Sequence, residues 1–182
     1  MSERLTIETK RLKLTGLTAE ALGAWIDGDP DALRAETGVD FDAPVEAPPL
    51  FGEDLPMFSE RMREAAEDLG WWAWLVSTRD DNRAVGVCGL GGRPDEGAVS
   101  LGYSVYPQVE GRGYATEASA GLIQWILGHE EAEVIRAEVP LWNLASVSVA
   151  KKLGMAEASH EMTEEVGEVA VYELRRETGT LE

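Results

Sequence analysis

Between Ser104 and Ala118 the chain reads SVYPQVEGRGYATEA: a strand-forming run, a proline, two glycines one residue apart, then helix formers. A strand that feeds a helix across so short a turn restricts the fold, because the helix must fold back to cover a sheet. The helix has the stripe this requires. Ala118, Gly121, Leu122, Trp125 and Ile126 fall at i, i+3, i+4, i+7 and i+8 and face a core. The turn also has chemical meaning. A helix start presents unpaired N–H groups and a partial positive charge, and Gly111 and Gly113 let the backbone approach a phosphate closely. Arg112, Lys151 and Lys152 are candidates to add positive charge. The same Gly-x-Gly spacing also suits an ordinary tight turn. A dinucleotide fingerprint would place a third glycine where Thr116 stands, which argues against a nicotinamide or flavin enzyme.

The surrounding pattern predicts a mixed sheet. Strands are expected over 5–15, 71–78, 84–90, 98–106, 134–139, 155–162 and 169–175, and helices over 18–27, 55–69, from Gly113 onward and over 144–153. Residues 42–56 hold Pro44, Pro48, Pro49 and Pro56, half of the 8 prolines, and are expected to form an irregular loop. The order is antiparallel hairpins first, then alternating strands and helices. It predicts an α/β (mixed α+β) class with a largely antiparallel, mixed sheet of six to seven strands and helices on both faces. A chain of 182 residues suits one domain over residues 1–182.

Composition removes several function classes. The formal charge of -18, from 34 acidic and 16 basic residues, argues against nucleic acid as a partner, since phosphate neutralisation needs clustered Lys and Arg. An acidic surface serves solubility, and it also attracts cationic ligands. No apolar run approaches the length of a membrane span and no signal peptide follows the N-terminus, so a cytoplasmic protein without membrane attachment is expected. Cys88 stands alone, and no Cys/His spacing suggests a metal site.

With the turn in this context, Gln108-x-x-Gly111-x-Gly113 resembles the Q/R-x-x-G-x-G/A motif of the GNAT acyltransferases, and Gly111 to Ala118 resembles the RimJ/RimL-like branch. The likeness covers roughly residues 70–176, with residues 1–69 matching only in coarse order. It implies acetyl-CoA as cosubstrate, with Gln108, Glu110, Gly111, Arg112, Gly113, Tyr114 and Ala115 around its pyrophosphate. It also implies that Val105 and Tyr106, on a strand splayed from its neighbour, pair with the pantetheine amides. The acceptor is an amine, expected to be cationic from the charge balance, and a homodimer is left open.

Asn143 to Gly154 has its own local logic. Asn143 is a good N-cap, Lys151 and Lys152 suit a helix C-terminus, and Gly154 suits a left-handed cap. Ser146, Val149, Ala150 and Leu153 share one face, so Ser146 points inward, either to the carbonyl one turn back or to a ligand. The segment resembles the GNAT pattern N-x-x-S/A, in which Asn143 joins the cofactor site and Ser146 protonates the leaving thiolate. The tyrosine that many members use instead would stand at Ala150. Transfer requires a neutral amine, and Glu138 is the candidate base, acting through water. Glu117 is read as a first-turn carboxylate facing the helix dipole. His129 and His160 are expected to be non-catalytic, and Cys88 a small buried hydrophobe. Strand alternation puts Trp72 and Trp74 on one face, where they could wall an acceptor pocket. The alternative to an enzyme is a degenerate member of this fold that binds CoA as a sensor or interaction module.

Overall fold

The computed structural model describes residues 4–42 and 44–177. Its strands are β1 (Thr6–Glu8), β2 (Leu12–Gly16), β3 (Ala73–Thr78), β4 (Ala84–Leu90), β5 (Ala98–Val105), β6 (Val134–Pro140), β7 (Ala156–Thr163) and β8 (Gly167–Arg175). They form one 8-stranded sheet in the order β1-β2-β3-β4-β5-β6-β8-β7. Every adjacent pair is antiparallel except β5 and β6, which run parallel. The helices are α1 (Ala19–Ile26), α2 (Pro30–Thr37), α3 (Leu55–Glu64), α4 (Tyr114–Leu127) and α5 (Leu144–Lys152).

Two cores lie on opposite faces of this sheet. On one face Leu75 and Val87 pack with Leu22, Trp25, Leu33, Phe58 and Met62 from α1, α2 and α3. On the other, Trp74, Cys88, Leu101 and Ile135 pack with Leu122 and Ile126 of α4 and Ala150 of α5. Period-2 alternation thus supplies both layers, as the sequence predicts for a sheet with helices on both faces.

The sheet has eight strands rather than six to seven because 5–15 is a hairpin. Thr9 N–H donates to Leu12 O at 2.9 Å, and Ile7 pairs with Leu14. The polar run Thr9-Lys10-Arg11 interrupts the alternation and makes the turn. Helix α2 is an element the sequence reading passed over, although its signals are present. Asp29 Oδ1 accepts from the N–H groups of Asp31 and Ala32 at 3.0 Å each, Pro30 opens the helix, and Gly38 closes it at φ 73°.

Trp72 and Trp74 do not share a face. The chain bends through Gly70, Trp71 and Trp72 before β3 begins at Ala73, so alternation does not extend back to Trp72. Trp74 is fully buried on the α4 side, its Nε1–H donating to Gly70 O at 2.7 Å and its ring 5.3 Å from Trp125. Trp72 lies on the α3 side, 6.4 Å from Phe58. Cys88 is buried as expected, and burial pushes its thiol up to about 12.

Gly86 in β4 lies opposite Val105, and a Cβ at 86 would stand 2.4 Å from Ser104 O and 3.0 Å from Val105 Cα. Backbone is what it would strike, so no side-chain rotation relieves the clash. Gly86→Ala should therefore cost about 1–3 kcal/mol, the range for overpacking. Urea unfolding would show it as a lower midpoint with an unchanged slope, and an unaltered midpoint would refute the close approach.

Candidate active site

The parallel pairing of β5 with β6 is short. It joins Ala98 to Val134, Val99 to Ile135 and Ser100 to Arg136, and goes no further. Beyond Ser100, β5 stays with β4 as far as Val105, while β6 stays with β8 as far as Pro140. The two strands therefore part, and a cleft of about 420 Å³ opens between Leu101–Ser104 on one side and 137–140 on the other. Phe58 and Val87 belong to the α1–α3 face and Leu101 to the α4–α5 face, so the cleft passes through the sheet from one layer to the other.

Backbone groups on the cleft side of β5 follow from strand periodicity. Tyr106 N–H donates to Val85 O at 3.0 Å, and Tyr106 O accepts from Val109 N–H at 3.0 Å. Both groups of Tyr106 are thus engaged within the protein, and its amide has no hydrogen left for a pantetheine arm. The alternate positions Leu101, Tyr103 and Val105 turn their backbone groups away from β4 and toward the gap. Val105 therefore keeps the orientation expected of it, and Tyr106 acts otherwise. Its hydroxyl donates to Glu46 O at 2.6 Å, and Ser104 Oγ donates to Pro49 O at 2.6 Å. These two bonds hang the proline-rich segment from β5.

That segment and α3 wall one side of the cleft, with Leu50, Phe51, Met57 and Phe58 as its apolar lining. Two carboxylates also line it, Asp54 and Glu138. Asp54 sits at the N-cap of α3 but makes no capping bond, and burial, together with neighbouring Glu53, raises its pKa. Glu138 is exposed on β6. Of the acidic loop residues, Glu46 instead lines a second cavity of about 350 Å³, with Asp40, Asp42, Arg83, Gln108 and Arg112.

On the other layer, α5 begins at the rim. Asn143 caps it, its Oδ1 accepting from Ser146 N–H at 3.2 Å, and both residues line the cleft. Among the described residues no hydrogen bond takes up the Ser146 hydroxyl, so the carbonyl one turn back is not its partner. Tyr103 reaches across from β5 and donates its hydroxyl to Ser146 O at 2.8 Å. Burial holds the Tyr103 pKa at about 12, so the phenol stays a donor at neutral pH. The sequence reading missed Tyr103; alternation with Leu101 and Val105 was the only signal for it.

Past Val105 the chain makes one turn of 3₁₀ helix, Pro107–Val109, and then the glycine turn. Gly111 has φ 73° and Gly113 φ 79°, left-handed values that side chains resist. Gly113 is the N-cap of α4 and offers no side chain, so the first N–H groups of the helix, at Tyr114 and Ala115, are left without a capping side chain. Gln108, Glu110 and Arg112 are exposed around this turn. Lys151 and Lys152 lie in the last turn of α5, at the opposite end from Asn143.

Glu117 does not act on the helix dipole alone. It accepts from Thr9 Oγ1 at 2.7 Å, Arg11 N–H at 2.7 Å and Arg11 Nε at 2.6 Å. Burial pushes its carboxyl up, but these bonds and the Arg11 charge prevail and its pKa falls below the usual range. His129 bonds Trp125 O through Nδ1 at 2.9 Å and packs on Trp71, and His160 lies on exposed β7 between Glu157 and Glu168. Neither lines the cleft.

Residues 11–156 match the family model described as an acetyltransferase (GNAT) domain. The chain belongs to the GNAT acetyltransferase family, whose members use acetyl-CoA. It is 30% identical over 149 residues to the uncharacterized N-acetyltransferase YjdG of Bacillus subtilis, covering 81% of this chain and 88% of that protein. Its fold is similar to that of RimL, a ribosomal L7/L12 α-N-protein acetyltransferase in complex with coenzyme A, with a TM-score of 0.67 at 15% identity over 94% of this chain and 98% of that one. It is also similar to a Vibrio cholerae spermidine N-acetyltransferase chimera, with a TM-score of 0.63 at 15% identity over 90% and 95% of the chains.

If the glycine turn holds a polyanion, one added negative charge there should repel it. A Cβ at 111 meets nothing within 4 Å, and Asp tolerates a left-handed backbone better than most residues. Gly111→Asp should weaken CoA binding at least about ten-fold, the equivalent of 1.4 kcal/mol, with the circular dichroism spectrum unchanged. Unaltered affinity by calorimetry would remove the turn from the donor site.

Proposed function

We propose that this protein transfers the acetyl group of acetyl-CoA directly to a cationic primary amine, a protein N-terminus or a small-molecule amine, within a ternary complex. One observation carries this reading: the gap between β5 and β6 runs through the sheet, so two substrates can enter from opposite layers and meet without a covalent enzyme intermediate. Backbone groups of Leu101, Tyr103 and Val105 would pair with the pantetheine arm, as an added strand pairs with a sheet edge. The turn from Gln108 to Ala115, with its unpaired N–H groups, would take the pyrophosphate.

The acceptor side supports an amine. Asp54 and Glu138 put two carboxylates into a cleft whose α3 side is apolar, with Leu50, Phe51, Met57 and Phe58. An ammonium group gains by entering there, and Glu138, through water, removes the proton that makes it a nucleophile. The neutral nitrogen then attacks the thioester carbonyl carbon, the C–S bond breaks, and the thiolate leaves. Ser146, its hydroxyl unengaged at the rim, passes its proton to that sulfur and regains one, through water, from the nitrogen that has become the amide. The related folds act, by their names, on a ribosomal protein's α-amine and on spermidine, which span the same two acceptor classes. A single cytoplasmic domain suits either.

A panel of amines with acetyl-CoA, followed as released thiol, tests the class. Thioester loss that no acceptor raises above background would favour a CoA-binding sensor over a transferase. With a good acceptor in hand, Ser146→Ala should lower kcat about ten- to a thousand-fold with little change in the KM for acetyl-CoA, as for a contact made mainly in the transition state. Unchanged turnover where chemistry limits the rate would exclude Ser146.

Capture of the acceptor should depend on salt. A cleft of one charge sign concentrates opposite charge, and screening shortens its reach to about 8 Å at physiological ionic strength. Acceptor kcat/KM should fall between low and physiological salt, while acetyl-CoA, repelled by the net charge of -18, should show a flat or opposite trend. A neutral or anionic acceptor, or a cationic one indifferent to salt, would leave the acidic surface to solubility alone.

A further inference from the structure

Arg11 lies at the tip of the β1–β2 hairpin, a hundred residues from the glycine turn in sequence, yet its guanidinium stands against that turn. Nε donates to Glu117 Oε2 at 2.6 Å, and Nη1 donates to Arg112 O at 2.9 Å. Cζ lies 4.9 Å from the centroid of the Tyr114 ring, and Nη2 would be 3.4 Å from a Cβ at Gly113. The tip is itself held in place. Arg11 O accepts from Arg79 N–H at 2.9 Å, Arg79 Nη1 donates to Thr9 O at 2.8 Å, and Thr9 Oγ1 donates to Glu117.

This arrangement bears on donor binding, and the inference rests on the reading of the glycine turn given above. A peptide is planar and trans, so its C=O and N–H point in opposite directions. Holding the Arg112 carbonyl toward Arg11 therefore directs the Gly113 N–H to the other side of the turn. With glycine on both sides of Arg112 and no side-chain cap on α4, the turn has little of its own to fix that plane. We infer that Arg11, clamped by Glu117, is a positioning residue for the CoA pyrophosphate: it sets the Arg112–Gly113 peptide so that the turn's N–H groups face the donor. Glu117 neutralises the guanidinium on one edge, so the role needs the geometry of two donors on one rigid plane, which a lysine ammonium does not reproduce.

The experiment compares acetyl-CoA with acetyl-pantetheine, which carries the same thioester without the pyrophosphate. Fixing the backbone of one or two residues is worth about ten- to a hundred-fold in affinity. Arg11→Lys and Arg11→Ala should both raise the CoA dissociation constant and the KM for acetyl-CoA by that factor. They should leave kcat at saturating acetyl-CoA, and kcat/KM for acetyl-pantetheine, within about two-fold. Arg11→Lys keeps a cation beside Glu117 and guards against a variant that fails to fold. Full affinity in Arg11→Lys would overturn the inference, since a point charge would then suffice. Equal losses with both donors would also overturn it, because the damage would not be confined to the pyrophosphate. Should Gly111→Asp weaken CoA while the Arg11 variants do not, the turn stands and only the role of Arg11 falls. Should Gly111→Asp have no effect, the donor-site reading itself falls.

Discussion

Past Ser100 the edge of β5 that faces β6 has no ladder partner, because β6 is bonded to β8 along its whole length and β5 to β4. Unpaired strand edges are costly when dry and prone to capture other chains when exposed. Here the gap is short, it lies between two paired strands, and the proline-rich segment and α3 wall one side of it. The edge is thus kept accessible to a narrow ligand and shielded from another sheet. Much of the remaining architecture maintains this parting: Tyr103 bridges to Ser146 across it, and the proline-rich segment hangs from Ser104 and Tyr106 beside it.

Local signals were legible where sequence neighbours alone decide the structure. The stripe on α4, the Asn143 cap and the left-handed glycines all depend on residues within about two turns, and the structure realises each. Strand 98–105 and its helix follow for the same reason. Counting the first run as one strand failed because the turn Thr9-Lys10-Arg11 contains neither Gly nor Pro, and its geometry is held by partners such as Arg79 from β3's far end. The pairing of Trp72 with Trp74 failed because alternation begins only where a strand does. The α2 helix was masked by its position among acidic and proline residues, although Asp29, Pro30 and Gly38 marked its ends.

Site residues divide along the same line. Gln108 to Ala115, Asn143 and Ser146 are short motifs, and the structure sets Asn143 and Ser146 on the cleft and the glycine turn beyond the end of β5. Arg11 and Tyr103 bond partners 101 and 43 positions distant, for which no local pattern exists. Tyr106 differs from its neighbour Val105 in the direction its backbone groups face. In an extended strand, which of two neighbours faces a gap depends on register with β4, and register is a tertiary quantity.

The two sides of the cleft are built with different rigidity. One side is a sheet edge, a helix start and a guanidinium held by a carboxylate, all tied by backbone bonds or charge-assisted ones. The other is a proline-rich segment attached at Ser104 and Tyr106 by two side-chain-to-backbone bonds and packed through Phe51 on Phe58, whose rings lie 5.4 Å apart. Loops of this kind change sequence and length at little cost to a scaffold. A donor common to the whole family needs the first construction. Under the proposed function the amine meets the second, so residues 44–58 rather than the motif that marks the family would be the ones to choose it.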